Sequence, residues 1–385
     1  MLENADVDEV FHNMVYTKFD EDGPIWAVRY LPWAEKQTDY VNSTTLTESN
    51  KLSDKPFISH IVMGFHHGIT DGHSCLRLMR SILQMFDTVI AEKDLDDRDQ
   101  DSILLDRVDE IRISSEIEAH FLTDEKIFKE RKDAYKSCYV KSLIDQAYPV
   151  PIRNKPATLS IRYVLDKEST ARLAQRCKKE GVTFHTGFTA ILDAAFVKTL
   201  MDANFHQDVY KISSFHAVNL RSYYENCSNA LGNGMGILDL VCNTPQNVLD
   251  NFWTYAKKVH SIFKKHQVRK VPLEHYVVDK LSGEPPMAPF NMQDVTESGL
   301  PDVITYSTTN MLDVSKFVRG CGEHVSLVYY DRLTSLHIFP ILWMSSFQTF
   351  NGEMLHSLQY NSRLMDANVA KVLSDNIFKV VRDVH

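Results

Sequence analysis

No unbroken apolar run in the 385-residue chain approaches the roughly 18 residues that a membrane-spanning helix needs. The first residues, MLENADVDEVF, lack the basic segment and the apolar core of a secretory signal. Six cysteines (Cys75, Cys138, Cys177, Cys227, Cys242 and Cys321) show no CxxC spacing, which argues against a zinc ribbon or a disulfide framework. Their scatter suits a reducing cytosol, so a cytoplasmic protein is expected. Surplus positive charge is missing too. With 42 Lys+Arg against 51 Asp+Glu the formal net charge is −9. Nucleic acid, whose footprint is a basic stripe, is therefore not an expected partner. Internal repeats and low-complexity tracts are absent.

What is present is ordinary globular material, 44% hydrophobic and 24% charged, in a chain long for one core. Two domains are expected, spanning 1–150 and 157–385, with the three prolines of YPVPIRNKP (Tyr148 to Pro156) at the boundary. GPIWAVRYLP and FISHIVMGF read as strands, and the polar stretch between them as a loop. SCLRLMRSILQMFDTVIAEK reads as a helix, with Leu76, Met79, Leu83, Phe86 and Ile90 along one face. The charge run Glu92 to Ser102 reads as solvated loop, and two helical patterns follow. Past the boundary come a strand (ATLSIRYVL), a helix stopped at Gly181, and a buried helix from Thr186 to Met201. A strand from Tyr210 to Arg221, the glycine-rich turn LGNG and the helix NFWTYAKKVHSIFKKHQ come next. Strands are predicted near Val303 to Thr308, Val325 to Tyr330, Leu336 to Leu342 and Glu353 to Tyr360, then a closing helix from about Asp366. Strands and helices mix without strict alternation, so the fold class is α+β with mixed sheets.

The densest chemistry lies in FHHGITDGHS, Phe65 to Ser74. As a metal site it would use His60, His66, His67, Asp71 and His73, but adjacent strand residues point to opposite faces and no HExxH helix supplies the rest. No metal is expected. As a turn it would use Asp71 and Gly72, with the histidines bonding locally. As a catalytic centre it would use one histidine as general base while its neighbour packs, with a carboxylate four residues later organising the loop.

HHGITDG matches the His-His-x-x-x-Asp-Gly signature and so resembles the chloramphenicol-acetyltransferase-like, CoA-dependent acyltransferases. That superfamily includes the BAHD enzymes, the alcohol acetyltransferases and the condensation domains of peptide synthetases. GPIWAVRY, EGVTFHTGFTAILDAAF, AVNLRSYY followed by LGNGMGILDL, STTNMLD and FNGEMLHSLQYNSRL resemble the superfamily's later landmarks in order. The likeness is to the alcohol O-acetyltransferase branch, since the plant enzymes' Asp-Phe-Gly-Trp-Gly motif is absent. Two departures stand out. The resemblance implies that the chain begins after the superfamily's first strand and helix, and Asn310 is followed by Met311 and Leu312 where a glycine is usual.

The resemblance implies two similar domains with a tunnel between them. It implies an acyl-CoA co-substrate, acetyl-CoA in the simplest case, no resident cofactor, and a small hydrophobic alcohol as acceptor. His67 would be the general base and His66 would orient the loop, with Gly72 leaving space at the turn. Asp71 would be structural, paired with Arg221. Thr308, Thr309 and Asn310 would bind the oxyanion or substrate, and Asn219, Gly232 and Asn233 would line the tunnel or serve as strand-end and turn residues. Lys178, Lys179, Lys257, Lys258, Lys264 and Lys265 would meet the CoA phosphates. A monomer is expected. Transfer to an amine, or a condensation-type reaction on a carrier-bound thioester, would use the same residues. A catalytically inactive binding or scaffold relative is the alternative from another class.

Overall fold

The computed structural model describes residues 6–19, 22–32, 58–95, 104–149, 157–225, 227, 229–283, 302–319 and 322–385. The loop expected after Pro32, the charge run beyond residue 95 and most of the Pro-rich boundary lie outside the described residues.

Helix α1 (Val7–Met14) starts at an Asp6 cap, whose side chain accepts the Asp8 N–H. Sequence reading missed this helix. Its Val7, Val10, Phe11 and Met14 pack on Leu31 and Val62 of a two-stranded antiparallel ribbon, β1 (Trp26–Leu31) and β2 (His60–Phe65). Helix α2 (Gly72–Ile90) follows β2 directly. Leu76, Met79 and Leu83 of its expected apolar face are buried, whereas Phe86 and Ile90 stand 39% and 58% exposed among the described residues. The reason is geometric: the cluster that receives the first three is built on Val314, Phe350 and Leu355, and α2 runs on beyond it.

The main body is a mixed sheet of six strands in the order β3-β8-β7-β6-β4-β5. These are β3 (Thr158–Leu165), β4 (Val209–Asn219), β5 (Met235–Pro245), β6 (Ile304–Asp313), β7 (Ile341–Phe350) and β8 (Glu353–Asn361). β6 runs parallel to both β4 and β7, and the other pairs are antiparallel. The expected α+β class with a mixed sheet is therefore what forms.

Both faces of this sheet are covered. Beyond α2 the helices are α3 (Val108–Thr123), α4 (Glu125–Lys136), α5 (Leu143–Ala147), α6 (Lys167–Glu180), α7 (Phe184–Asp202), α8 (Phe252–Val268), α9 (Val271–Ser282), α10 (Ser315–Val318) and α11 (Ala367–Val384). On one face α7 is buried along nearly its whole length, among residues of α6, α8, α11 and the strands. A helix apolar all round belongs in a core, and α7 lies there. On the other face Phe121, Tyr135 and Cys138 from α3, α4 and just beyond meet Val277 and Val278 of α9 over Phe215, Ile304 and Ile341. α6 ends at Gly181, whose left-handed φ of 76° a side chain would disfavour.

Two expected strands differ. Val325 to Tyr330 joins no ladder; Val325, Leu327, Tyr329 and Tyr330 pack instead beside α2. Leu336 to Ile338 is a 3-10 turn, and the strand begins only at Ile341. Helix α9 was not anticipated. Pro272 in its first turn was the available signal.

Candidate active site

The opening motif folds as a strand end, a turn and a helix cap. His66 closes the ladder through its N–H to the Ile25 carbonyl at 2.9 Å. Its Nδ1 accepts the Gly68 N–H at 3.1 Å, so a neutral His66 carries its proton on Nε2. His66 thus ties the turn down locally. His67 is exposed, and no hydrogen bond to its ring forms among the described residues. Among the described residues no three His, Cys, Asp or Glu side chains converge as metal ligands.

Asp71 turns the opposite way. It caps α2, and its Oδ1 accepts the Ser74 N–H at 2.9 Å. Its Oδ2 accepts from Arg221 Nη1 at 2.6 Å and from the Gly234 N–H at 2.8 Å. Asp71 is 6% exposed and Arg221 3%. Burial alone would raise the Asp71 pKa, but the Arg221 hydrogen bond, the Ser74 and Gly234 N–H groups and the Arg221 charge together hold it below the usual carboxylate value.

Arg221 is the hub. Nε donates to the Ala230 carbonyl at 2.9 Å, Nη2 to the Gly232 carbonyl at 2.8 Å and to Ser74 Oγ at 3.0 Å, and Nη1 also reaches Asn219 Oδ1 at 3.2 Å. Ser74, which sequence reading passed over, locks the assembly: its hydroxyl donates to the Gly232 carbonyl and accepts the Gly232 N–H. The motif is thereby fastened to the end of β4 and to the LGNG turn, 150 residues downstream. Gly234 is required there, because a Cβ would lie 2.8 Å from Arg221 Nη1. Asn233 caps its own turn through Met235 N–H.

Gly72 is also closely approached by a side chain. A Cβ would meet Met311 Sδ at 2.5 Å, which places the end of β6 directly against the motif. The pleat then separates the three β6 candidates. Thr308 shares the α7 face with Tyr306; it is 2% exposed, and its Oγ1 lies 2.7 Å from Nδ1 of the buried His216. Thr309 and Met311 take the other face, toward α2. Thr309 Oγ1 accepts from Arg332 Nη1 at 2.7 Å. Asn310 Oδ1 accepts the Leu312 N–H at 2.8 Å. Thr309 is thus the one whose side chain shares the motif's side of the sheet. Arg332, another residue missed in sequence, lies in a segment read as following a strand.

The six lysines proposed for CoA are exposed on α6 and α8, helices on the α7 side of the sheet, and Lys257 is paired with Glu180 at 2.7 Å. His216 is fully buried and His324 exposed.

In fold this architecture is similar to solved condensation and epimerization domains and to an O-acetyltransferase, with a mixed sheet and flanking helices. Neither a protein-family profile nor a curated protein matches the sequence. Among solved structures, the trichothecene 15-O-acetyltransferase TRI3 from Fusarium sporotrichioides is similar at TM-score 0.56 and 14% identity, over 85% of this chain and 66% of that one. The condensation domain of the Monacolin K polyketide synthase MokA is similar at TM-score 0.57 and 11% identity, over 97% and 75%. The X-domain from teicoplanin biosynthesis is similar at TM-score 0.56 and 13% identity, over 99% and 77%. At such identities the likeness is one of fold. Among the described residues no helix is long and apolar enough to cross a membrane.

Proposed function

We propose that the chain is an acyltransferase that moves an acyl group from acyl-CoA to the hydroxyl of a small, hydrophobic alcohol, with His67 as general base. One observation carries this reading: an exposed imidazole stands on a turn that a buried Asp71–Arg221 pair clamps between distant parts of the chain. A base must be reachable, and its loop must not move; the motif meets both requirements. The fold supports the class, since it is shared by an O-acetyltransferase and by condensation domains. The finer terms, an acetyl donor and an alcohol acceptor, follow the sequence resemblance.

In this mechanism His67 removes the acceptor's proton as its oxygen attacks the thioester carbonyl, then returns that proton to the leaving thiolate. Asp71 takes no part in proton transfer, because both its oxygens are occupied on the inner side of the turn. Thr309 supplies a hydroxyl near the motif for the oxyanion.

The test is thiol release from acetyl-CoA with a panel of medium-chain and terpenoid alcohols, comparing wild type with His67→Ala. Alcohol-dependent release that falls by about two to four orders of magnitude in the variant is expected. Equal release from both proteins would reject His67 as the base. Amine acceptors and carrier-bound thioesters, run as separate arms, distinguish the N-acyl and condensation readings.

A further inference from the structure

Arg332 holds a formal positive charge between the end of β6 and the start of α2, and nothing in the mechanism above uses it. Its Nη1 donates to Thr309 Oγ1 at 2.7 Å and Nη2 to the Thr309 carbonyl at 2.7 Å. Nε donates to Gln348 Oε1 at 3.1 Å, and Nη2 also reaches the Phe347 carbonyl at 3.3 Å. All four acceptors are neutral. The adjacent carboxylate, Asp331, is paired with Arg162. Among the described residues Arg332 has no ion-pair partner. Burial pulls its pKa below the ordinary arginine value, and it contributes to the electrostatics of Cys75, in the first turn of α2. A partly buried guanidinium needs hydrogen bonds or a counter-charge, and those of Arg332 all go to neutral oxygens.

The hydroxyl it grips matters more. A threonine hydroxyl has one proton and two lone pairs. Because Thr309 Oγ1 accepts from Arg332, its proton is left to be donated elsewhere, and the cation makes it a stronger donor. Thr309 lies two residues before Met311, whose side chain touches Gly72 of the motif. The carbonyl of the same Thr309 is held by the same guanidinium, so the backbone and side chain are oriented as one unit.

We propose that Arg332 is a positioning residue for acyl transfer: it turns the single proton of Thr309 toward the reacting carbonyl and sets fixed positive charge behind it. The role rests on the acyltransferase reading above. In the forward step the acceptor oxygen bonds to the thioester carbon while its proton passes to His67. The carbonyl π pair moves onto its oxygen, which takes the Thr309 hydrogen bond. When that pair returns, the carbonyl re-forms and the carbon–sulfur bond breaks, and the thiolate receives the proton from His67.

The experiment measures kcat and KM for thiol release by the full chain carrying Thr309→Val, Thr309→Ser, Arg332→Gln, Arg332→Lys, or Thr309→Val with Arg332→Gln, alongside His67→Ala and a melting curve for each. Thr309→Val and Arg332→Gln are each expected to lower kcat about a hundredfold with KM nearly unchanged. The double variant should fall no further than the worse single one, as groups acting as a unit do. Thr309→Ser should keep most activity, and Arg332→Lys should fall between wild type and Arg332→Gln. A purely structural arginine would lower the melting temperature and leave kcat of the folded fraction intact, which would overturn the proposal. Multiplicative losses in the double variant would overturn it as well. If Arg332→Gln does not fold, the contrast between Thr309→Val and Thr309→Ser decides: equal activities reject the role. Loss of the Arg332 effect with His67-dependent turnover intact sinks this inference alone, whereas wild-type turnover that ignores His67 sinks the reading beneath it too.

Discussion

Asp71→Asn isolates the charge of the clamp from its shape. Asparagine can still accept the Ser74 N–H, so α2 keeps its cap. What disappears is the carboxylate facing Arg221, whose guanidinium remains 2% exposed in the protein interior. Removing one partner of a buried ion pair destabilises by about 3–5 kcal/mol. Arg221 retains the Ala230 and Gly232 carbonyls and Asn219 as acceptors, which favours the lower end, about 3 kcal/mol. Asp71→Ala also removes the cap and adds about 1 kcal/mol. Melting curves at neutral pH should therefore show Asp71→Asn about 6–12 °C below wild type, from roughly 2–4 °C per kcal/mol, and Asp71→Ala lower again. The pH dependence gives an independent check. A carboxyl whose native pKa is lowered adds stability that is present above its unfolded value, about 3.9, and is lost as pH falls through the native value. The gap between wild type and Asp71→Asn should be full near pH 6 and shrink below about pH 4. A variant within about 0.5 kcal/mol of wild type at neutral pH, or a gap that persists unchanged in acid, would refute the reasoning.

Gly72→Ala should change stability by no more than about 1 kcal/mol in urea unfolding, because the flexible Met311 thioether it meets can swing aside and alanine suits a helix better than glycine by about 0.5–1 kcal/mol. A loss well above that would show that Met311 is held rigidly against the motif. A third site lies far from the motif. Asp193 is buried, accepts from Tyr255 and Tyr306 at 2.7 Å each, and is pushed by burial to a pKa of about 7. A carboxyl with a raised native pKa adds stability that is full below the unfolded value and lost as pH rises through the native one. The wild-type melting temperature should then fall between about pH 4 and about pH 7 relative to Asp193→Asn and level off above that, and parallel profiles would reject it.

The parts of this protein that announce themselves in sequence are those whose neighbours are close in the chain. Asp71 capping α2, Gly181 ending α6 and the largely apolar α7 all follow from local chemistry. Arg221 was reached only through resemblance, since nothing local marks an arginine that will find a partner 150 residues away. Ser74 and Arg332 escaped for the same reason. Their partners, Gly232 and Thr309, are supplied by the topology of the sheet, and a serine on a helix or an arginine in a loop ordinarily faces water. The false strand at Val325 to Tyr330 shows the limit from the other side. Its residue types suit a ladder, yet that apolar surface is spent against α2.

Exposure of His67 and burial of Asp71 are two consequences of one turn. A cap must direct its side chain back to the first N–H groups of its helix, and α2 lies against the sheet, so that direction is inward. Met311 packs over Gly72 on that inner side. The strand end carrying His66 and His67 must then leave the ladder outward, with His66 bonding Gly68 to tighten the bend. Asp71 consequently cannot be both anchor and relay partner, since its three donors saturate the side it presents. Loosening the anchor should misplace the base without altering its chemistry. Clamp variants are therefore distinguishable from base variants by a kcat that falls while the pH–rate profile keeps its shape.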